Sequence, residues 1–461
     1  MMRIFFSVFF CFVFGFSASS QQSTPLVAQD SSAWKKAVHE SKFYINLRFN
    51  HIETYNQDSL TDYYATALTS TLKFESGSFK GFRFAAGGQY SADIGSSDLN
   101  SPDKSTGSVS RYEISLFDLE DRNNRNRLYR LDQLYLNYSW KNNTITAGRQ
   151  LLNTPLLNPQ DGFTRPSAVE AIWMNVEASE KITFQGGYVS KVSPRGTVKF
   201  HTVAESIGMY GVGFNLDGTK SGYKYNVHSN GLYVAGLRYT RNEKSTTQLW
   251  NYFIDKVANT IYFQTDHEYE YANDMFSVLG LIIVHQNKIS NGGNDDQDKT
   301  YFAPNTSNLI SGRIGIGKGM DRFHLNISQV LGNSRYLFPR EWGKEPFYTS
   351  MKRERIEGAG NLSAYTVNYI HNDEEHRWRT EWAYGYFHLP DVKNTVINKY
   401  MFPSFHQFAA DVTYAFAGKL KNMDMGLTYT YKKNAAPFEG NKYIINRVNM
   451  HHINFVLNYH L

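Results

Sequence analysis

The segment 453–461 alternates along its whole length: Ile453, Phe455, Leu457, Tyr459 and Leu461 are separated by Asn454, Val456, Asn458 and His460. Successive side chains of a β-strand point to opposite faces, so one face of this segment is apolar and aromatic and the other mostly polar. Such a strand suits a wall with hydrocarbon on one side and water on the other. A terminal segment that is a whole amphipathic strand is expected to close a barrel.

The preceding segments repeat the pattern. Met423, Met425, Leu427, Tyr429 and Tyr431 alternate with Asp424, Gly426, Thr428, Thr430 and Lys432, and Phe408, Val412 and Tyr414 with Gln407, Asp411 and Thr413. Trp378, Trp382, Tyr384 and Tyr386 alternate with Arg377, Arg379, Glu381 and Gly385. One alternating strand also fits a soluble sandwich. Four in succession, with aromatic rings at their ends, fit the girdles of a membrane barrel. The chain is hydrophilic in mean hydropathy yet 15% aromatic, as expected where only half of each strand meets lipid.

Arg3 precedes an apolar run, Ile4 to Phe16, followed by the small residues Ala18, Ser19 and Ser20. The run is too short for a membrane helix and reads as a secretory leader, residues 1–20. Removing it also removes Cys11, the only cysteine, which excludes disulfides, thiolate metal sites and cysteine nucleophiles. Residues 21–40 lack alternation and read as an N-terminal periplasmic arm, and 41–461 as the barrel. A net charge of +6, spread evenly, is too small to suggest a nucleic-acid binder.

Amphipathic runs recur at a spacing of roughly twenty-five residues, which gives about eighteen strands, with sixteen as the alternative. Short turns such as 77–81, 141–143 and 317–320 alternate with long polar stretches at 92–126, 153–168, 196–224, 287–307, 333–358 and 388–404. That asymmetry matches periplasmic turns and extracellular loops. The fold class is therefore all-β, a transmembrane antiparallel β-barrel.

Parity assigns faces. Phe49, Phe84, Leu237, Ile314 and Trp378 outward place Arg48, Arg83, Arg238, Arg313, Arg377 and Arg379 toward the lumen. Charge on the lipid face costs about 2–4 kcal/mol near the bilayer centre, so inward placement is partly forced and a generic polar lumen stays open as a reading. The functional reading is a ladder along one wall, since guanidinium pairs with carboxylates and stays charged.

The stretch Gly148-Arg149-Gln150-Leu151-Leu152-Asn153-Thr154-Pro155-Leu156-Leu157-Asn158-Pro159-Gln160-Asp161-Gly162, then Arg165-Pro166, resembles the strand and constriction loop of the OprD family of substrate-specific outer-membrane porins. Phe338-Pro339-Arg340-Glu341-Trp342-Gly343, with Arg353-Glu354-Arg355-Ile356-Glu357-Gly358, resembles a second signature, of Bacteroidetes-type members. Gly187 to Gly196 is similar again. The resemblance implies an eighteen-stranded barrel with a monomeric pore, in the outer membrane of a Gram-negative bacterium. It further implies long extracellular loops folded into the lumen around a narrow eyelet, and small carboxylate-bearing substrates. It makes Arg149, Asp161 and Arg165 eyelet candidates. Arg340, Glu341, Arg353 and Arg355 form a loop network, either touching substrate or only packing the loops. Leu461 departs from the terminal Phe usual in such barrels.

Nothing points to an enzyme, a cofactor or a metal. The acidic run Asn291–Asp298 lacks the ligand spacing of a calcium loop, and His451 and His452, adjacent on a strand, face opposite ways. The expected function is facilitated diffusion of small anionic solutes. The alternatives are a non-selective or cation-preferring porin and a blocked-lumen adhesin.

Overall fold

A computed structural model describes residues 30–160 and 163–461. The leader and the first part of the arm lie outside the described residues, as does Asp161. The wall begins with β1 (Lys42–Asn56), β2 (Tyr63–Glu75), β3 (Phe82–Ser96), β4 (Leu128–Trp140), β5 (Asn143–Gln150), β6 (Ala168–Ser179) and β7 (Ile182–Ser193). A two-residue strand, β8 (His201–Thr202), follows. The wall resumes with β9 (Leu232–Asn242), β10 (Ser245–Ile254), β11 (Ala258–Glu270), β12 (Met275–Lys288), β13 (Thr306–Lys318) and β14 (Asp321–Leu331). It ends with β15 (Ser363–Asn372), β16 (Trp378–His388), β17 (Phe405–Ala415), β18 (Met423–Asn434) and β19 (Met450–His460).

Each wall strand pairs antiparallel with the next, and β19 pairs with β1 from Met450↔Asn56 to His460↔Asn46. The terminal amphipathic strand does close the barrel. β7 pairs directly with β9, so β8 is a piece of rim beside β7 and the closed wall has eighteen strands.

Turns of a few residues occupy one end, including 141–142, 180–181, 243–244 and 319–320. The helix α1 (Asp30–His39) packs at this end, with the Gly77 amide donating to the Ala37 carbonyl at 3.1 Å and Trp34 edge-on to Phe79 at 5.7 Å. The other end carries the long loops 97–127, 151–167, 194–231, 289–305, 332–362, 389–404 and 435–449. The last of these was not expected, and 57–62 and 255–257 are short. A four-residue helix, α2 (Val203–Ser206), stands in loop 194–231 behind a reciprocal Thr202–Glu205 cap.

The outward face follows the alternation, with Leu47, Phe84, Ile172, Leu279, Ile283, Ile314, Trp382 and Leu427 all exposed. The inward face does not keep its expected polarity. In the loop-bearing half, β9, β10 and β12 turn Leu232, Val234, Trp250, Tyr252, Ile254, Ile282 and Val284 inward, all buried. They pack with Leu156, Phe338 and Trp342 from the loops into one apolar cluster. The run Val278–Val284 is apolar throughout because Ile283 meets lipid while Ile282 and Val284 meet folded loops. The β18–β19–β1 side stays polar inside, with Thr430, Lys432, His452, Asn50 and Thr54. The loops therefore cover both sides, through an apolar interface on one and a polar one on the other, and the opening lies among them nearer the polar side, at Thr428 and Asn454.

Candidate functional site

Beside that polar wall the loops leave a cavity of about 590 Å³, bordered by Thr428 of β18 and Asn454 of β19. Five loops line the rest, through Arg111 and Arg122, Phe163, Arg195, residues of 340–359, and Tyr400. Among the described residues, eight lining side chains are basic (Arg111, Arg122, Arg195, Arg340, Lys344, Lys352, Arg353, Arg355) and two are acidic (Glu354, Glu357). The acids are neutralised locally. Lys432 meets Glu354 at 2.6 Å and Arg340 meets Glu357 at 3.4 Å. Lys352 lies 3.4 Å from Asp411 of the wall. Arg111, Lys344, Arg353 and Arg355 have no carboxylate within ion-pair distance among the described residues.

The centre is the Phe163 ring, with the Arg195 guanidinium 4.0 Å from its centroid and that of Arg353 at 4.6 Å. Two like charges share one aromatic ring, an arrangement whose repulsion the ring's quadrupole partly offsets. Burial and the Arg195 charge push the Arg353 guanidinium down to about 10. Burial and neighbouring Lys352 push the Lys344 ammonium down to about 8. Both stay mostly protonated at neutral pH, and both would be relieved by an anion. Arg353 also has a left-handed backbone, φ +63, which is uncommon for a side-chain-bearing residue and concentrates at functional positions.

The surrounding loops are tightly held. Arg130 of β4, buried with Asp132, donates to Ser193 Oγ at 2.9 Å and to the carbonyls of Pro194 and Thr197 at 3.1 Å. It also donates to the Pro166 carbonyl. One side chain thus ties a strand to two loops. Asn158 and the chain at 342–344 exchange three hydrogen bonds of 2.9 to 3.0 Å. Gly343 permits this approach, since a Cβ there would stand 2.8 Å from Asn158 atoms. Trp342 is fully buried and donates from Nε1 to Ser206 Oγ at 2.8 Å. Glu341 accepts from the amides of Gly208 and Tyr210 at 3.1 and 2.9 Å, so it orders a loop.

The expected residues divide by location. Arg353, Arg355 and Arg340 line the cavity. Arg355 donates to the Gly343 carbonyl at 2.8 Å and to Gln160 Oε1 at 2.9 Å. Arg48 is inward and donates to Asn458 Oδ1 at 2.7 Å and to the Phe163 carbonyl at 2.8 Å, anchoring the constriction. Arg313 is inward, 3.0 Å from Asn326 and over the Tyr348 ring. Arg83 borders a second cavity on the β3–β7 side. Arg238 and Arg379 lie nearer the short-turn end, Arg379 paired with Glu381 at 2.7 Å. These positions, on β1, β3, β9, β13 and β16, spread around the circumference rather than along one wall.

Three assignments are corrected. Arg149 stands on the outer face, cross-strand to Leu134 and Glu170, 3.5 Å from the Glu170 carboxylate and over Phe200; parity overrides its place in the motif. Arg165 is fully buried and donates to the Phe117 carbonyl, so it packs the loop behind the opening. Burial pushes its guanidinium down to about 9. Arg377 precedes β16 and pairs with Glu375 in the turn, where strand parity no longer applies. Arg111, Arg195, Lys344 and Lys352 were missed because they sit in loops, where alternation assigns no direction. The acidic run 291–298 is held by its own turns, and among the described residues no group of three potential metal ligands converges.

Similar barrels are known. The structure of Pseudomonas aeruginosa OpdK with vanillate is 16% identical, covering 92% of this chain and 99% of that one at a TM-score of 0.70. Pseudomonas aeruginosa OccK2 (OpdF) in complex with glucuronate is 13% identical, covering 92% and 98% at 0.67. Acinetobacter baumannii OccAB4 is 16% identical, covering 92% and 98% at 0.69. No curated protein matches the sequence. The model of the outer membrane porin, OprD family, matches residues 35–385, most of the wall and four of the five loops at the cavity. The chain belongs to the OprD family of outer-membrane porins.

Proposed function

We propose that this porin passes small carboxylate-bearing solutes by facilitated diffusion, and that the cluster around Phe163 is the step at which anions are preferred. The observation that carries this reading is the charge imbalance of the cavity. Among the described residues, its acids Glu354 and Glu357 each have a cationic partner, while Arg111, Lys344, Arg353 and Arg355 have no carboxylate within ion-pair distance. A solute carboxylate entering there gains charge-assisted hydrogen bonds from groups already held in place. The inward arginines Arg48, Arg83, Arg238, Arg313 and Arg379 extend a weaker positive field along the barrel, partly cancelled by acids such as Glu381. Vanillate and glucuronate, present in the structures of two similar barrels, are both carboxylates, which agrees with this reading.

The test is the reversal potential of the refolded protein in a planar bilayer under a salt gradient, with chloride and then with small organic anions. Anion preference that falls in Arg195→Gln and Arg353→Gln supports the reading. Cation preference, or ratios unchanged in both variants, refutes it, and absence of conductance turns attention to a blocked lumen.

A further inference from the structure

The polar wall beside the opening holds a chain of four side chains that solute passage alone does not explain. Thr54 of β1 and His452 of β19 are cross-strand partners, both inward and fully buried. On one side, Arg353 Nε lies 2.8 Å from His452 Nε2. On the other, Thr54 Oγ1 lies 2.9 Å from His452 Nδ1 and also bonds Glu113 Oε1. Glu113 opens the short 3₁₀ turn Glu113–Leu116 of loop 97–127 and is fully buried.

Donor chemistry fixes the order of the protons. A guanidinium has only N–H groups, so Arg353 donates and His452 Nε2 accepts. His452 is then the neutral tautomer carrying its proton on Nδ1, which donates to Thr54 Oγ1. The Thr54 hydroxyl proton is left to go to Glu113. Every member has one consistent role, and the chain ends on Glu113 Oε2, a buried oxygen with no hydrogen-bond partner among the described residues. An orphan carboxylate oxygen in a buried site is a place for a proton. Among the described residues, the charged and titratable groups around the chain begin with Arg195, which shares the Phe163 ring with Arg353 and repels it. Tyr63 of β2 interacts with Glu113 and also with Asp103 and Arg122, Tyr112 lies beside the His452 ring at 5.0 Å, and Lys432 of β18 interacts with His452.

We propose that Thr54 and His452 are positioning residues for the Arg353 guanidinium, and that proton uptake on Glu113 tunes the anion preference of the opening. Arg353 sits on the Phe163 ring that borders the cavity, so its orientation and the charge behind it both act on a passing ion. The proposal rests on the anion-preferring reading above. Burial pushes the Glu113 carboxyl up to about 7, against the Thr54 hydrogen bond and the Arg353 charge. The transition thus falls near neutral pH. Below it the carboxyl is neutral and the cations behind the opening act undiminished. Above it one negative charge opposes them.

The experiment measures the chloride-to-potassium permeability ratio of the full-length refolded porin from pH 5.5 to 8.5. The expected result for the unaltered protein is a fall of about fourfold as pH rises through 7, because one unit charge roughly 10 Å from the ion across water changes the chloride and potassium terms about twofold each, in opposite directions. Glu113→Gln should hold the higher ratio flat. Thr54→Val, which removes a hydrogen bond that favours the charged carboxylate, should move the midpoint to higher pH, and Thr54→Ser should restore it. Chemical-shift titration of the Glu113 side-chain carboxyl carbon reads the same proton directly, even in a variant with altered conductance. A profile in Glu113→Gln identical to that of the unaltered protein would overturn the proposal. The transport reading fails separately, if the unaltered protein prefers cations at every pH; a pH step abolished by Glu113→Gln would still support the relay.

Discussion

Replacing Arg130 with Met tests whether the loops that shape the opening are held as firmly as their contacts imply. The guanidinium lies between Asp132 on its own strand, Ser193 at the end of β7, and the carbonyls of Pro166, Pro194 and Thr197. Methionine fills much of the volume but donates nothing, leaving a buried carboxylate and several buried acceptors unsatisfied. Breaking one side of a buried ion pair costs about 3–5 kcal/mol. The lower end applies, because Arg165 also interacts with Asp132 and its own repulsion from Arg130 disappears. At about 3 kcal/mol, the fraction of barrels with loops 151–167 and 194–231 undocked rises about a hundredfold. Single-channel recording should then show frequent transitions to a higher-conductance level, and limited proteolysis should cut within those loops sooner. A second change, Asp132→Leu, removes the stranded charge and should recover part of the loss. Quiet traces of unaltered conductance with Arg130→Met, together with unchanged cleavage, would refute the argument that this side chain fastens the loops.

Three further outcomes are expected. Arg149→Ala should leave the permeability ratio unchanged, since the side chain is on the outer face; a drop in anion preference would contradict that placement. Trp342→Ala should destabilise the docked loops by about 3–5 kcal/mol and widen the open level, read from thermal unfolding and conductance together. The buried Glu345 carboxyl, which accepts from the Ile356 and Glu357 amides at 2.7 and 2.8 Å, is pushed by burial up to about 7. Because this folded value lies above the ordinary carboxylate range, its stabilising contribution is complete below about 4.5 and lost as pH rises through 7. Unfolding midpoints should fall over that window and flatten in Glu345→Gln.

Strand number, closure and outward faces were legible because lipid imposes one rule on every wall strand. The alternation at 423–432 and 453–461 carries straight into the observed register. The inward faces were less legible, because Trp250, Ile282 and Val284 obey the loops they meet, and those loops arrive from distant parts of the chain. For the same reason strand parity found Arg48 and Arg313 but not Arg111, Arg195 or Lys344. Motif position alone misassigned Arg149, whose direction was available from Ile145 and Ala147, four and two residues earlier. His452 was set aside as half of an adjacent pair pointing opposite ways; the direction was right, and its partners lay on β1 and in loop 332–362.

The eccentric placement of the opening divides the barrel's freedom to change. In the loop-bearing half of β9, β10 and β12 the lumen face is an apolar packing interface, and a substitution there meets the penalties of a protein core. Along β18, β19 and β1 the same level is buried too, but it is polar and bonded to the loops, and Thr428 and Asn454 are the wall residues that border the opening. Relatives that acquire new substrates are expected to accumulate their differences at those two wall positions and in the loop side chains that line the opening. The apolar arc should drift only among apolar residues of similar volume, so that one barrel holds a conservative interface and an inventive opening.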